Sequence, residues 1–140
     1  MLVGLPGSGK STWVEGKSGV LSSDALRELL ADDPNNQNIH ARVFRALREL
    51  LKHRLELKRP VTYIDATNLT PYERRPYIAL ADLFDGEIEA VFFDVPLAEC
   101  IRRNHARGRV VPDEVIHKMA ERLVAPNVTE GFSQVRLIGR

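Results

Sequence analysis

The segment Gly4-Leu5-Pro6-Gly7-Ser8-Gly9-Lys10-Ser11 constrains this chain more than any other feature. It fits G-x-x-x-x-G-K-[S/T], with apolar residues before it and a helical pattern after it. Glycines let successive backbone N–H groups turn inward around phosphate oxygens, and a following helix start adds positive potential. In such a loop Gly4, Pro6, Gly7, Ser8, Gly9 and Thr12 wrap the phosphates. Lys10 reaches the β- and γ-phosphates, and the Ser11 hydroxyl is placed to ligate Mg²⁺. ATP and Mg²⁺ are therefore the expected cofactors.

The rest of the chain reads as a strand–helix alternation. Gly19 to Ser22, Val61 to Asp65, Ala90 to Asp94 and Val135 to Ile138 are short apolar runs of buried-strand type. Val43, Leu47, Leu50 and Leu51 recur at helical spacing, as do Val115, Ile116, Met119 and Leu123 after Pro112. Such alternation predicts an α/β fold of P-loop type: a parallel sheet of about five strands with flanking helices. Only Met1, Leu2 and Val3 precede Gly4, so the first strand is either very short or completed by residues ahead of Met1. Thr70-Pro71-Tyr72-Glu73 has the form of a capping box, and Pro76 predicts a kink or a later helix start. Asp32 to Asn38 reads as an exposed connection.

At 140 residues, one domain spanning 1–140 is expected. A net charge of +1 argues against general nucleic-acid binding, so any such affinity must come from a local patch. Cys100 is the only cysteine, which excludes an internal disulfide and fits a reducing compartment. No apolar run approaches the ~20 residues of a membrane span, and no signal peptide is expected ahead of the loop, so the expected location is cytoplasmic. The four histidines lack metal-ligand spacing and read as ordinary surface or half-buried residues.

Phosphoryl transfer needs more than a cradle, and the sequence offers the further parts. Asp24 follows the second strand, where a carboxylate can take the proton of an attacking hydroxyl; it can equally cap the next helix. Arg27, one turn on, can bind an acceptor phosphate or hold Asp24. Two strands end in aspartate; Asp65 is preferred over Asp94 as the water-mediated Mg²⁺ support, because Ala66-Thr67-Asn68 adds hydrogen-bonding groups. Asp94 instead reads as helping to start the next helix. Arg102, Arg103, His105, Arg107 and Arg109 cluster before and after Gly108, which suits an arginine-bearing lid over roughly 97–124. The bland alternative is a solvated face with Glu99–Arg103 as an ion pair. Arg42, Arg45 and Arg48 also read as a solvated face, and Gln37 and Asn68 are weak acceptor-side candidates.

Taken in order, several segments resemble the kinase domain of polynucleotide 5′-hydroxyl kinases, above all the kinase module of bacterial RNA-repair kinase–phosphatase–ligase proteins. They are Gly4 to Trp13, Ser22-Ser23-Asp24 with Arg27, and Asp65-Ala66-Thr67-Asn68. Phe93-Asp94-Val95-Pro96, Arg103-Asn104 with Arg107, and Glu130-Gly131-Phe132 complete the set. The resemblance implies a nucleoside-kinase-like fold and transfer of the γ-phosphoryl of ATP·Mg to a 5′-hydroxyl end of RNA or DNA. It implies Asp24 as general base, Arg27 on the acceptor phosphate, and Arg103 and Arg107 in the lid over the ATP phosphates. The lid looks about one residue shorter than in that module, which leaves Arg109 without a role. The chain holds no Asp-x-Asp motif of an aspartyl phosphatase, so a separate phosphatase or ligase would complete a repair reaction. A monomer or a homodimer is expected. The rival readings are a small-molecule kinase with a sugar or antibiotic hydroxyl acceptor, and a non-catalytic ATP-binding module.

Overall fold

The structure, a computed structural model, describes residues 1–108 and 111–139. Among these residues there are five strands, all parallel: β1 (Leu2–Val3), β2 (Val20–Ser22), β3 (Tyr63–Asp65), β4 (Ala90–Phe93) and β5 (Val135–Ile138). Ladder hydrogen bonds join β1-β4-β5 in one sheet and β2-β3 in another. The two are stitched where β1 runs out: Gly4 N donates to Thr67 O at 3.0 Å, and Asn68 Nδ2 donates to Leu2 O at 2.7 Å. The lateral order is therefore β2-β3-β1-β4-β5. The expected α/β parallel sheet is present.

Alternation along the strands explains the layering. Val3, Ile64, Ala90 and Phe92 point to one face and pack with Leu47, Leu51 and Tyr77 from α3 (His40–Glu56) and α4 (Pro71–Leu83). Leu2, Val91 and Phe93 point the other way, against Val14 of α1 (Lys10–Val14). Helices thus cover both faces, as a buried parallel sheet requires. A third cluster joins Leu5, Leu69 and Val95 to Cys100 of α5 (Leu97–Ala106), with Met119 and Ala120 of α6 (Asp113–Arg122) packed against it. Among the described residues, no helix is long and apolar enough to cross a membrane.

Two local expectations are corrected. β3 starts at Tyr63 rather than Val61, because Arg54 takes the preceding residues into its own bonds, to Val61 O and Thr62 Oγ1 at 2.8 Å each. α4 begins at Pro71 and runs through Pro76 instead of starting later. Side chains hold that first turn: Thr70 Oγ1 accepts from Glu73 N at 3.2 Å, and the Glu73 carboxylate accepts from Leu69 N at 2.9 Å. Arg109 lies outside the described residues.

Candidate active site

The carboxyl ends of β1, β2 and β3 carry Lys10, Asp24 and Asp65 of the sequence-predicted residues. Gly7 and Gly9 have φ of 80° and 99°, a region open to glycine, and so turn the loop between β1 and α1. Lys10 is buried and folds back on the loop, its Nζ donating to Gly4 O and Leu5 O at 2.9 Å each. Burial pushes its pKa down from 10.5 to about 8, against the opposing pull of the Asp65 and Asp24 carboxylates. Ser8 is buried and Pro6 half-buried in the same loop, while Thr12 is exposed on α1.

Ser11 Oγ donates to Asp65 Oδ2 at 3.0 Å, so the loop hydroxyl and the β3 aspartate occupy one spot. Burial raises the Asp65 pKa, with Lys10 pulling it back. This donor set of one hydroxyl and one carboxylate fits Mg²⁺, which takes few protein oxygens and fills its shell with water and phosphate. Among the described residues no cluster of three or more His, Cys, Asp or Glu could hold a metal unaided. Asp94 does not start α5: that helix is capped at Pro96 with no side-chain bond, because Val95-Pro96 separates the two.

The helix α2 (Ser23–Ala31) carries Asp24, whose charge reaches Lys10. Its cap is Ser22, whose Oγ accepts from Ala25 N at 3.2 Å, so the capping task offered to Asp24 belongs to another residue. Asp24 is the second residue of the helix, its side chain 44% exposed and 3.3 Å from Arg27 Nη1. Arg27 itself is buried. Its Nη2 lies 3.0 Å from His40 Nδ1 and its guanidinium carbon 5.9 Å from the Phe44 ring centre. His40 and Phe44 were missed by the sequence reading. Nothing in their spacing points to α2, and the connection through Asp32–Asn38 alone brings them back to it.

Arg103 and Arg107 flank the loop. Arg103 Nε donates to Glu99 Oε1 at 2.9 Å, and its Nη1 reaches toward Ser8 O at 3.4 Å. Glu99 also accepts from Arg102, and these bonds push its pKa down to about 2. Arg103 and Arg107 line a cavity of about 570 Å³ with Gly7, Gly9, Trp13 and Ile138. Gly108 (φ 74°) ends the helix just beyond Arg107. Two residues fall elsewhere. Asn68 is buried, and its amide nitrogen ties strands by donating to Leu2 O and Ala66 O, while its Oδ1 is buried without a hydrogen-bond partner in the protein. Gln37 is exposed in the turn before α3.

Comparison with known proteins places this site in a family. A family described as an AAA domain matches residues 1–126. The chain belongs to that family. The AAA-domain chain is 30% identical over 137 residues to "L-seryl-tRNA(Sec) kinase" of Methanococcus maripaludis, covering 90% of this chain and 52% of that protein. It is 29% identical over 144 residues to "Transcription factor bHLH140" of Arabidopsis thaliana, covering 96% of this chain and 15% of that protein. It thus spans about half or less of these relatives. Among solved structures, the Mycobacterium tuberculosis APS kinase CysC in complex with AMPPNP and APS superposes with a TM-score of 0.56 at 21% identity. That match covers 99% of this chain and 87% of the other. It shows that the AAA-domain chain has the P-loop kinase fold.

Proposed function

We propose that this domain transfers the γ-phosphoryl of ATP·Mg to a hydroxyl carried on a nucleic acid, and specifically to the 5′-hydroxyl end of RNA or DNA. The observation that carries the reading is the placement of Asp24. Its charge reaches Lys10 of the phosphate loop, Ser22 relieves it of capping, and Arg27 is held next to it. A switch that only holds ATP needs neither residue.

In the reaction, the Asp24 carboxylate takes the proton of the acceptor hydroxyl as its oxygen forms a bond to the γ-phosphorus. The bond from that phosphorus to the bridging oxygen breaks, and ADP leaves with the electron pair. Lys10, Arg103 and Arg107 offset the charge that spreads over the transferring group; one such arginine can be worth about 10³–10⁵ in rate. Ser11 and Asp65, the latter through water, would hold Mg²⁺, which would supply positive charge against the phosphates. Arg27 takes the phosphate next to the accepting end. Trp13 and Ile138 leave an apolar wall beside the loop for the base of the donor.

A second reading has one observation in its favour. The relative matched at 30% identity is named as an L-seryl-tRNA(Sec) kinase, which points to a seryl hydroxyl on a tRNA. Both acceptors are hydroxyls carried on a nucleic acid. The deciding experiment offers labelled ATP·Mg²⁺ with 5′-hydroxyl RNA and DNA oligonucleotides, seryl-tRNA, and small sugar or antibiotic alcohols. Label on the oligonucleotide supports the first reading; label on seryl-tRNA or on a small alcohol alone replaces it. Tight ATP binding without any transfer would identify a non-catalytic module. Asp24→Asn should abolish transfer and leave ATP affinity within a few-fold; an active variant would remove Asp24 from the base role.

A further inference from the structure

Arg27 is an arginine the chain has gone to unusual lengths to hold still. Its side chain is 7% exposed, although guanidinium groups are rarely buried unless paired. Asp24 meets Nη1 from within α2, and His40 meets Nη2 from the first residue of α3, at 3.0 Å. The His40 ring stacks obliquely on Phe44, with centres 4.6 Å apart, and Phe44 in turn lies under the guanidinium. One helix thus supplies a hydrogen-bond partner for the cation and an aromatic floor beneath it.

We infer that His40 is a positioning residue: through its unprotonated Nδ1 it fixes the direction of Arg27, and with it the grip on the acceptor. The inference rests on the reading of Arg27 as the acceptor-phosphate contact. Arginine carries donors only, so the 3.0 Å approach is a hydrogen bond only when Nδ1 offers a lone pair. That requires neutral imidazole with its proton on Nε2. Protonation replaces the bond with two cations in contact.

The surroundings of His40 point the same way. Burial and then the Arg27 charge lower its pKa below the ordinary 6.5. Glu73 from α4 pulls it up, and Arg122 from α6, itself paired with Glu73, pushes it down. The acidic partner is thereby largely answered by its own arginine. The neutral form that Arg27 needs is therefore the one present above pH 6.5, and it is lost as pH falls through the lowered value.

The test compares wild type with His40→Asn and His40→Ala. Asparagine places Oδ1 near the position of Nδ1 and accepts from Arg27, but does not titrate. With the hydroxyl acceptor that the wild type labels, His40→Ala should raise acceptor KM roughly ten-fold while ATP KM stays within about two-fold. His40→Asn should restore acceptor KM to within about three-fold of wild type. Acceptor KM of the wild type should stay level from pH 7.5 to 6.5 and climb only below that, while that of His40→Asn should stay level throughout. Equal acceptor KM in all three proteins, or a parallel rise in ATP KM, overturns the inference. An independent arm needs no acceptor: a long-range ¹H–¹⁵N spectrum at pH 7.5 should show His40 Nδ1 without a proton. A proton on Nδ1 overturns the inference whatever the enzyme phosphorylates. Loss of all transfer in the wild type would instead remove the proposed function, leaving the spectrum to decide the role of His40.

Discussion

Replacing Lys10 with methionine should make the nucleotide-free protein more stable while disabling it. In the structure Lys10 is 8% exposed and bonded to two carbonyls of its own loop. The displacement of its pKa from 10.5 to about 8 corresponds to a cost of about 3 kcal/mol for keeping the charge buried. Methionine removes that cost but gives up the two bonds to Gly4 and Leu5 carbonyls, a loss of about 1–2 kcal/mol. The net gain at pH 7 is about 1–2 kcal/mol. The pH dependence follows from the direction of the displacement. Below pH 8 the lysine is charged in both folded and unfolded chains, and the cost is complete. Between pH 8 and 10.5 the folded protein sheds its proton first, so the wild type closes the gap; above 10.5 the gap from ionisation is gone. Urea unfolding followed by fluorescence of Trp13, packed edge-on against Tyr63 and Phe93, reads this directly. ATP affinity of the variant should fall roughly 10–100-fold. A stability difference that is the same at pH 7 and pH 10 would refute the reasoning, because a packing effect would not titrate.

Gly7→Ala places a methyl 2.4 Å from Cys100 O on a backbone with φ of 80°, and should cost about 2–4 kcal/mol in thermal or urea unfolding. Arg74 is fully buried, with bonds to both Glu130 carboxylate oxygens at 2.9 Å and to the carbonyls of Asn68 and Val124. Arg74→Met should cost about 3–5 kcal/mol by stranding Glu130, and the double variant Arg74→Met with Glu130→Met should recover much of that; a double variant as weak as the single would show that the carbonyl contacts dominate.

The elements legible in the sequence were those whose signal is local. The phosphate loop is a contiguous pattern with one conformational solution, and the four later strands are short apolar runs, so both are present, with β3 shortened where Arg54 bonds Val61 and Thr62. Thr70-Pro71 starts α4 because capping is decided within four residues. What escaped was decided across the chain. Asn68 looks like a crevice residue by its position after Asp65, yet its amide is drawn into the seam between β1 and β3, a pairing 66 residues long in sequence. Asp24 looked like a possible cap until Ser22, two residues earlier, proved to hold the α2 N-terminus. The Glu130-Gly131-Phe132 segment carried no chemistry on its own. Its purpose appears only with Arg74, 56 residues away, where a bidentate pair fastens α4 to the chain leaving the lid. His40 had the same fate: a histidine at a helix start announces nothing until α2 is laid beside it.

The close approach of Gly7 to the Cys100 carbonyl has a mechanical meaning. The base of α5 is pressed against the phosphate loop with no space for even one methyl group between them. A rod mounted in that way has no hinge at its foot: turning α5 there would drag the loop along and spoil the cradle. Arg103, between Cys100 and Asn104, which both crowd Gly7, lies within that mount and lines the cavity beside the loop. Arg107 stands at the far end of the same rod, where the helix stops before Gly108. The two arginines that sequence spacing made equivalent are thus unequal in leverage. Of the two, Arg107 is the one that stands beyond the stretch of α5 pressed against the loop.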